Sequence, residues 1–184
     1  MPTRYLLTEA NCALMVVDVQ GKLASMVADA EAVTERIVCL IKAARILNIP
    51  ILWVEHCPAR IGATILPVAQ ALEDTPCYEK ASFNALATPS VASAVSQINR
   101  QHMLVCGIES HVCVYQSVAG LLAAGMQVSV LEDCVSSRKE TDKAAGIRRM
   151  ASMGTSVRTL EMALFEILGD ARHSRFREIL SLIK

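Results

Sequence analysis

The chain has 184 residues, and its 18 Lys and Arg balance 18 Asp and Glu, so no basic stripe marks it for nucleic acid. That length fits one domain over 1–184, and a composition that is 53% apolar but only 4% aromatic predicts a core of aliphatic side chains. No basic-then-apolar leader opens the sequence and no apolar run approaches the roughly 20 residues of a membrane span, so a cytoplasmic protein without membrane contact is expected, its seven cysteines read as thiols.

Ala13 to Val17 is a continuous apolar run that ends in Asp18, Val19, Gln20 and Gly21. A run apolar on both faces predicts a central parallel strand. Ile37, Leu40, Ile41, Ala44 and Leu47 recur at helical spacing until Asn48, Ile49 and Pro50 stop them. Ile51 to Val54 reads as a second strand. Residues 55–75 hold Pro58, Gly62 and Pro67 without a strong period, which predicts a long loop with one helical turn. A short strand over 77–83 carries Lys80.

Thr88 and Pro89 open a helix, the threonine as cap, with Val91, Val95 and Ile98 as its buried stripe. Met103 to Gly107 forms the next strand. After the turn Ile108 to His111, a helix runs from about Cys113 to Ala124, with Gly125 just past its end. Val128 to Leu131 is a further strand. Ser137 and Glu140 match a capping box for a helix reaching about Met153. Ser156 to Thr159 is a final strand, and Phe176, Ile179, Leu180 and Ile183 line a C-terminal amphipathic helix. This alternation predicts an α/β fold, one mostly parallel sheet with helices on both faces.

Sites in such sheets form beyond the carboxyl ends of the strands, where Asp18, Lys80 and Cys113 fall. If the first and fourth strands are neighbours, Asp18 and Cys113 meet. A helix start and a nearby lysine are expected to favour the Cys113 thiolate. Asp18 then accepts the thiol proton and returns it to a leaving group, while amides of the turn hold an oxyanion. Each residue also has a structural alternative: a turn-capping Asp, a solvated Lys, a small buried Cys. Gln20 either fixes the Asp18 carboxylate, touches substrate or caps the turn. Phe83 and Trp53 are pocket candidates or core residues. Cys12, Cys39 and Cys106 read as core, whereas Cys57, Cys77 and Cys134 fall near strand ends or loops.

Two other classes remain open on this architecture. A nucleotide- or flavin-binding protein would place a Gly-rich turn after the first strand, where Asp18 to Lys22 holds one glycine. A non-catalytic scaffold would leave the Cys113 thiol at its ordinary pKa of about 8.5.

The segments Val16-Val17-Asp18-Val19-Gln20, Glu79-Lys80 and Cys106-Gly107-Ile108-Glu109-Ser110-His111-Val112-Cys113-Val114 resemble the isochorismatase-like cysteine hydrolases. The resemblance spans nearly the whole chain, and the last segment is its most specific part. It implies a Rossmann-like three-layer fold with a six-stranded sheet and a triad of Asp18, Lys80 and Cys113. It also implies a cis peptide between Ile108 and Glu109, aiming the amides of Glu109 and Cys113 at the oxyanion, and a homo-oligomer, a dimer, tetramer or larger.

Nicotinamidases of that family hold a metal beside the pocket with an Asp-x-His and further histidines. Here the stretch Trp53 to Pro58 keeps only His56 and Cys57, and His102, His111 and His173 lie elsewhere. Neither metal nor cofactor is therefore expected. True isochorismatases lack the nucleophilic cysteine, so Cys113 speaks against that reaction. The chain is most similar to the metal-free isochorismatase domain-containing subgroup. What this implies is hydrolysis of a small amide-like or related C–N bond through a thioester on Cys113.

Overall fold

The structure, a computed structural model, describes residues 6–184. Six strands pair in parallel throughout: β1 (Cys12–Val17), β2 (Ile51–His56), β3 (Cys77–Lys80), β4 (His102–Ile108), β5 (Gln127–Ser136) and β6 (Ser156–Arg158). Their order is β3-β2-β1-β4-β5-β6. The winding direction reverses between β1 and β4, and a crevice opens at the carboxyl ends of strands that meet in this way.

The apolar run of β1 is buried at all six positions because both faces of the sheet are covered. Cys12, Leu14 and Val16 pack into a core shared with α1 (Ala30–Ile46), α7 (Leu160–Leu168) and α8 (Phe176–Ile183). Ala13, Met15 and Val17 face the opposite core, built with α4 (Pro89–Gln97), α5 (Tyr115–Ala123) and α6 (Glu140–Ser152). No helix among the described residues is long and apolar enough to cross a membrane.

Several local expectations need correction. The segment 55–75 holds two short helices, α2 (Pro58–Ile61) and α3 (Leu66–Ala71), each with a proline in its first turn, where a missing N–H costs nothing. α7 was not anticipated; Thr159 opens it by accepting the Met162 N–H. The capping box at Ser137 and Glu140 does not form. Lys139 is the N-cap of α6, and the buried Ser137 hydroxyl is instead paired with His111 Nδ1 at 2.9 Å. Thr88 precedes α4 with Pro89 in the first turn, but its hydroxyl lies 3.1 Å from Ser82 Oγ rather than capping the helix. α5 begins at Tyr115, because Ser110–Val114 form a π-helical turn ahead of it.

Gly107 is required where β4 passes closest to β1. Its φ is +121°, and a Cβ there would run into the carbonyl of Val17. That approach sets the end of β4, and the turn beyond it, beside Asp18.

Candidate active site

The site assembles at the carboxyl ends of β1, β2, β3 and β4. Asp18 follows β1 in a left-handed conformation, φ 52°, a region open to Asp at modest cost. Parallel pairing sets His56 opposite Lys80, so Lys80 emerges from β3 next to the end of β2. Lys80 Nζ lies 2.6 Å from Asp18 Oδ2 and 3.3 Å from the carbonyl of Ser82. The two residues are 3% and 2% exposed, so the pair is screened little by solvent. Asp18 Oδ1 is buried with no donor besides the neighbouring Cys113 thiol.

Cys113 sits in the π-helical turn that follows β4, and the peptide bond between Ile108 and Glu109 is cis. The turn is held from several sides. Val112 and Val114 donate their N–H groups to the carbonyl of Glu109. Ser110 Oγ donates to the carbonyl of Ser136. Glu109 Oε1 accepts from the backbone N–H and the Nε–H of Arg138, at 3.1 and 3.0 Å. Gly146 of α6 packs so tightly that a Cβ would lie 2.7 Å from the carbonyl of Ser110.

The electrostatics depart from expectation at the sulfur. Burial pushes the Cys113 thiol up to about 12, the negative charge of Asp18 adds to this, and Lys80 acts in the opposite sense. A position at a helix start would lower the value. That expectation fails because α5 begins two residues later and because Lys80 is already engaged by Asp18. Burial likewise raises the Asp18 carboxyl above the usual range, with Lys80 opposing. At neutral pH the thiol is therefore protonated, beside a carboxyl whose ionisation burial opposes and Lys80 favours.

His56, weighed in the sequence only as a remnant of a metal-binding stretch, joins this group. One imidazole nitrogen, one Asp18 oxygen and Cys113 Sγ lie within 4.8 Å of one another. His56 Nδ1 is buried without a partner, and the ring stacks on Phe83 with centroids 5.5 Å apart. Phe83 is half exposed, so it stands at the rim of the site. The available signal was that His56 ends β2.

Gln20 is fully buried, but its amide is committed elsewhere. Nε2 donates to the carbonyls of His56 and Gly62, and Oε1 accepts from the His56 N–H at 2.6 Å. It thus ties the end of β1 to the end of β2. Trp53 packs against the core on the α1 side and donates its Nε1–H to Thr64 Oγ1. An open cavity of about 500 Å³ is bordered by Lys80 together with Cys57, Ser82 and Thr88, but not by Asp18, His56 or Cys113. A slightly larger apolar groove between α1 and Ile65 contains none of these groups; the convergence of charged residues, not cavity size, makes the Asp18 cluster the candidate site.

Residues 12–162 match the model of the Isochorismatase domain. The chain belongs to the isochorismatase family. Isochorismatase domain-containing protein 2 of Danio rerio is 31% identical, with the alignment covering 96% of this chain and 89% of that one. The structure described as MAR1 ribonuclease from Caenorhabditis elegans superposes with a TM-score of 0.91 at 34% identity, over 97% of this chain and 92% of that one. The fold is also that of YcaC from Escherichia coli, described as an octameric hydrolase of unknown specificity: TM-score 0.88, 19% identity, 98% and 97% covered. The six-stranded parallel sheet with helices on both sides is thus the isochorismatase fold, carried by an Isochorismatase domain.

Proposed function

We propose that this isochorismatase-family chain is a cysteine hydrolase acting on a small amide-like or related C–N bond, with Asp18, Lys80 and Cys113 as its triad. The observation that carries the reading is the buried Asp18–Lys80 pair at 2.6 Å, set against a cysteine whose sulfur lies within 4.8 Å of an Asp18 oxygen. A thiol raised to about 12 is a poor nucleophile by itself, so it needs a base in contact.

Asp18 takes the proton of Cys113 as the sulfur attacks the carbonyl carbon. The amides of Glu109 and Cys113 receive the developing oxyanion. As the intermediate collapses, the C–N bond breaks and Asp18 returns the proton to the departing amine, leaving a thioester. Water attacks the thioester carbon, Asp18 accepts its proton, and the acid leaves as Cys113 recovers its hydrogen. Lys80 orients Asp18 and favours its ionised form when it must accept a proton. Phe83 lines the entrance, while Gln20 and Trp53 serve the pocket by fixing the ends of β1 and β2 and the Thr64 loop.

The same proposal includes a cytoplasmic setting, which the seven free cysteines support, and a homo-oligomer, whose mass light scattering after gel filtration would give. The deciding experiment is a screen of small amides, ureas and carbamoyl compounds for ammonia release, with Cys113→Ala as control. Full turnover by Cys113→Ala would end the thioester reading. A ribonuclease reading rests on the C. elegans relative. An RNA-cleavage assay run alongside the amide screen separates the two.

A further inference from the structure

We propose that Asp18, His56 and Cys113 bind a single thiophilic divalent cation of the zinc type, and that this ion reversibly caps the nucleophile. The three donors arrive from separate places: the residue after β1, the last residue of β2 and the turn after β4. The donor atoms, one oxygen, one nitrogen and one sulfur, lie within 4.8 Å of one another. Zinc binds such ligands at about 2.0–2.3 Å in a tetrahedral arrangement, which sets neighbouring donors roughly 3.3–3.7 Å apart. The longest separation needs to close by only about 1 Å, within the reach of small side-chain rotations.

Two independent observations point to a ligand at this place. Asp18 Oδ2 is held by Lys80, and Oδ1 is buried with no donor besides the neighbouring Cys113 thiol, whose proton a metal would displace. His56 Nδ1 is buried without a hydrogen-bond partner. Leaving a buried imidazole nitrogen unsatisfied is costly, and a cation held through Asp18 Oδ1 and His56 Nδ1 would engage both atoms. The mixed S, N and O set suits zinc; magnesium and calcium prefer shells of oxygen. With three protein ligands, a fourth position is left for water.

Binding is an exchange. The Cys113 S–H bond breaks, the proton passes to solvent, and a sulfur–metal bond forms with the thiolate. The sulfur lone pair that would attack a carbonyl is then engaged by the ion. Lys80 stays on Asp18 Oδ2 and adds a nearby positive charge, so the ion is held less tightly than in a four-ligand structural site and chelators remove it. The inhibitory consequence rests on the hydrolase reading above; the binding does not.

Cobalt(II) is the probe, titrated into the full chain. One equivalent is expected to produce a thiolate-to-cobalt charge-transfer band in the near ultraviolet with visible bands of tetrahedral cobalt, and zinc should abolish both. Cys113→Ala should lose the charge-transfer band, and His56→Gln should weaken cobalt binding by at least about tenfold. Zinc should also protect Cys113 from iodoacetamide, read by peptide mass spectrometry, and EDTA should restore its labelling. The proposal fails if the band persists in Cys113→Ala, if His56→Gln binds cobalt as tightly as the parent chain, or if no band develops at millimolar cobalt. Binding at Cys113 without turnover of any amide would sink the hydrolase reading alone. Amide turnover with no cobalt bound would sink the metal site alone.

Discussion

Replacing Lys80 by methionine keeps the length and apolar stem of the side chain but removes the cation that faces Asp18. The carboxylate is then left at 2% exposure without its ion-pair partner. Breaking a buried pair from one side costs about 3–5 kcal/mol, a large share of the roughly 5–15 kcal/mol that holds a domain folded. The cost depends on pH in a definite sense. Burial already raises the Asp18 carboxyl in the folded chain, and loss of Lys80 raises it further. A folded carboxyl that binds its proton more tightly than the unfolded one, whose pKa is about 3.9, loses stability as pH rises between the two values. The penalty is therefore greatest above the raised folded pKa and shrinks as pH falls toward the unfolded value of about 3.9. Urea unfolding of Lys80→Met and the parent chain at pH 7.5 and pH 5 measures it, with the difference expected to narrow in acid. A variant within about 1 kcal/mol of the parent at pH 7.5, or a penalty that ignores pH, would refute the reasoning.

Three further outcomes follow from the site. The acid limb of kcat/KM should reflect Asp18 and lie above the ordinary carboxylate value of about 4, because burial raises that group; a limb at or below 4 contradicts the assignment. Alkylation of Cys113 by iodoacetamide should keep accelerating well above pH 9, since its thiol is pushed up to about 12, whereas a plateau near neutrality would show a thiolate at rest. Gly146→Ala puts a Cβ within 2.7 Å of the Ser110 carbonyl and 2.9 Å of the His111 nitrogen. Such overpacking costs about 1–3 kcal/mol, visible in thermal unfolding. It should lower kcat beyond the loss of folded protein, because the displaced turn carries Cys113; unchanged kcat in the folded fraction would show that the turn tolerates the shift.

The fold class was legible because its signals are local. Five consecutive apolar residues before Asp18, and the spacing of Ile37, Leu40, Ile41, Ala44 and Leu47, record which faces a strand or helix must bury. Strand ends then mark where a parallel sheet places its chemistry, which is why Asp18, Lys80 and Cys113 stood out before any contact between them was visible. The helix α7 was readable on the same grounds, since Leu160, Ala163, Leu164 and Ile167 carry helical spacing behind Thr159. Ser137 misled because a capping pattern describes neighbours along the chain, while its hydroxyl found His111 across the fold.

What the sequence by itself determined, then, was the order of the strands and of the longer helices before α7, and the three polar residues at or after strand ends. The tertiary structure alone decided that β1 and β4 are neighbours, that Lys80 spends its charge on Asp18, and that His56 enters the same cluster. It also reversed the direction expected for Cys113. Periodicity and strand ends are properties of a few consecutive residues, whereas the ionisation of a thiol sums burial and charge over groups that only folding brings together.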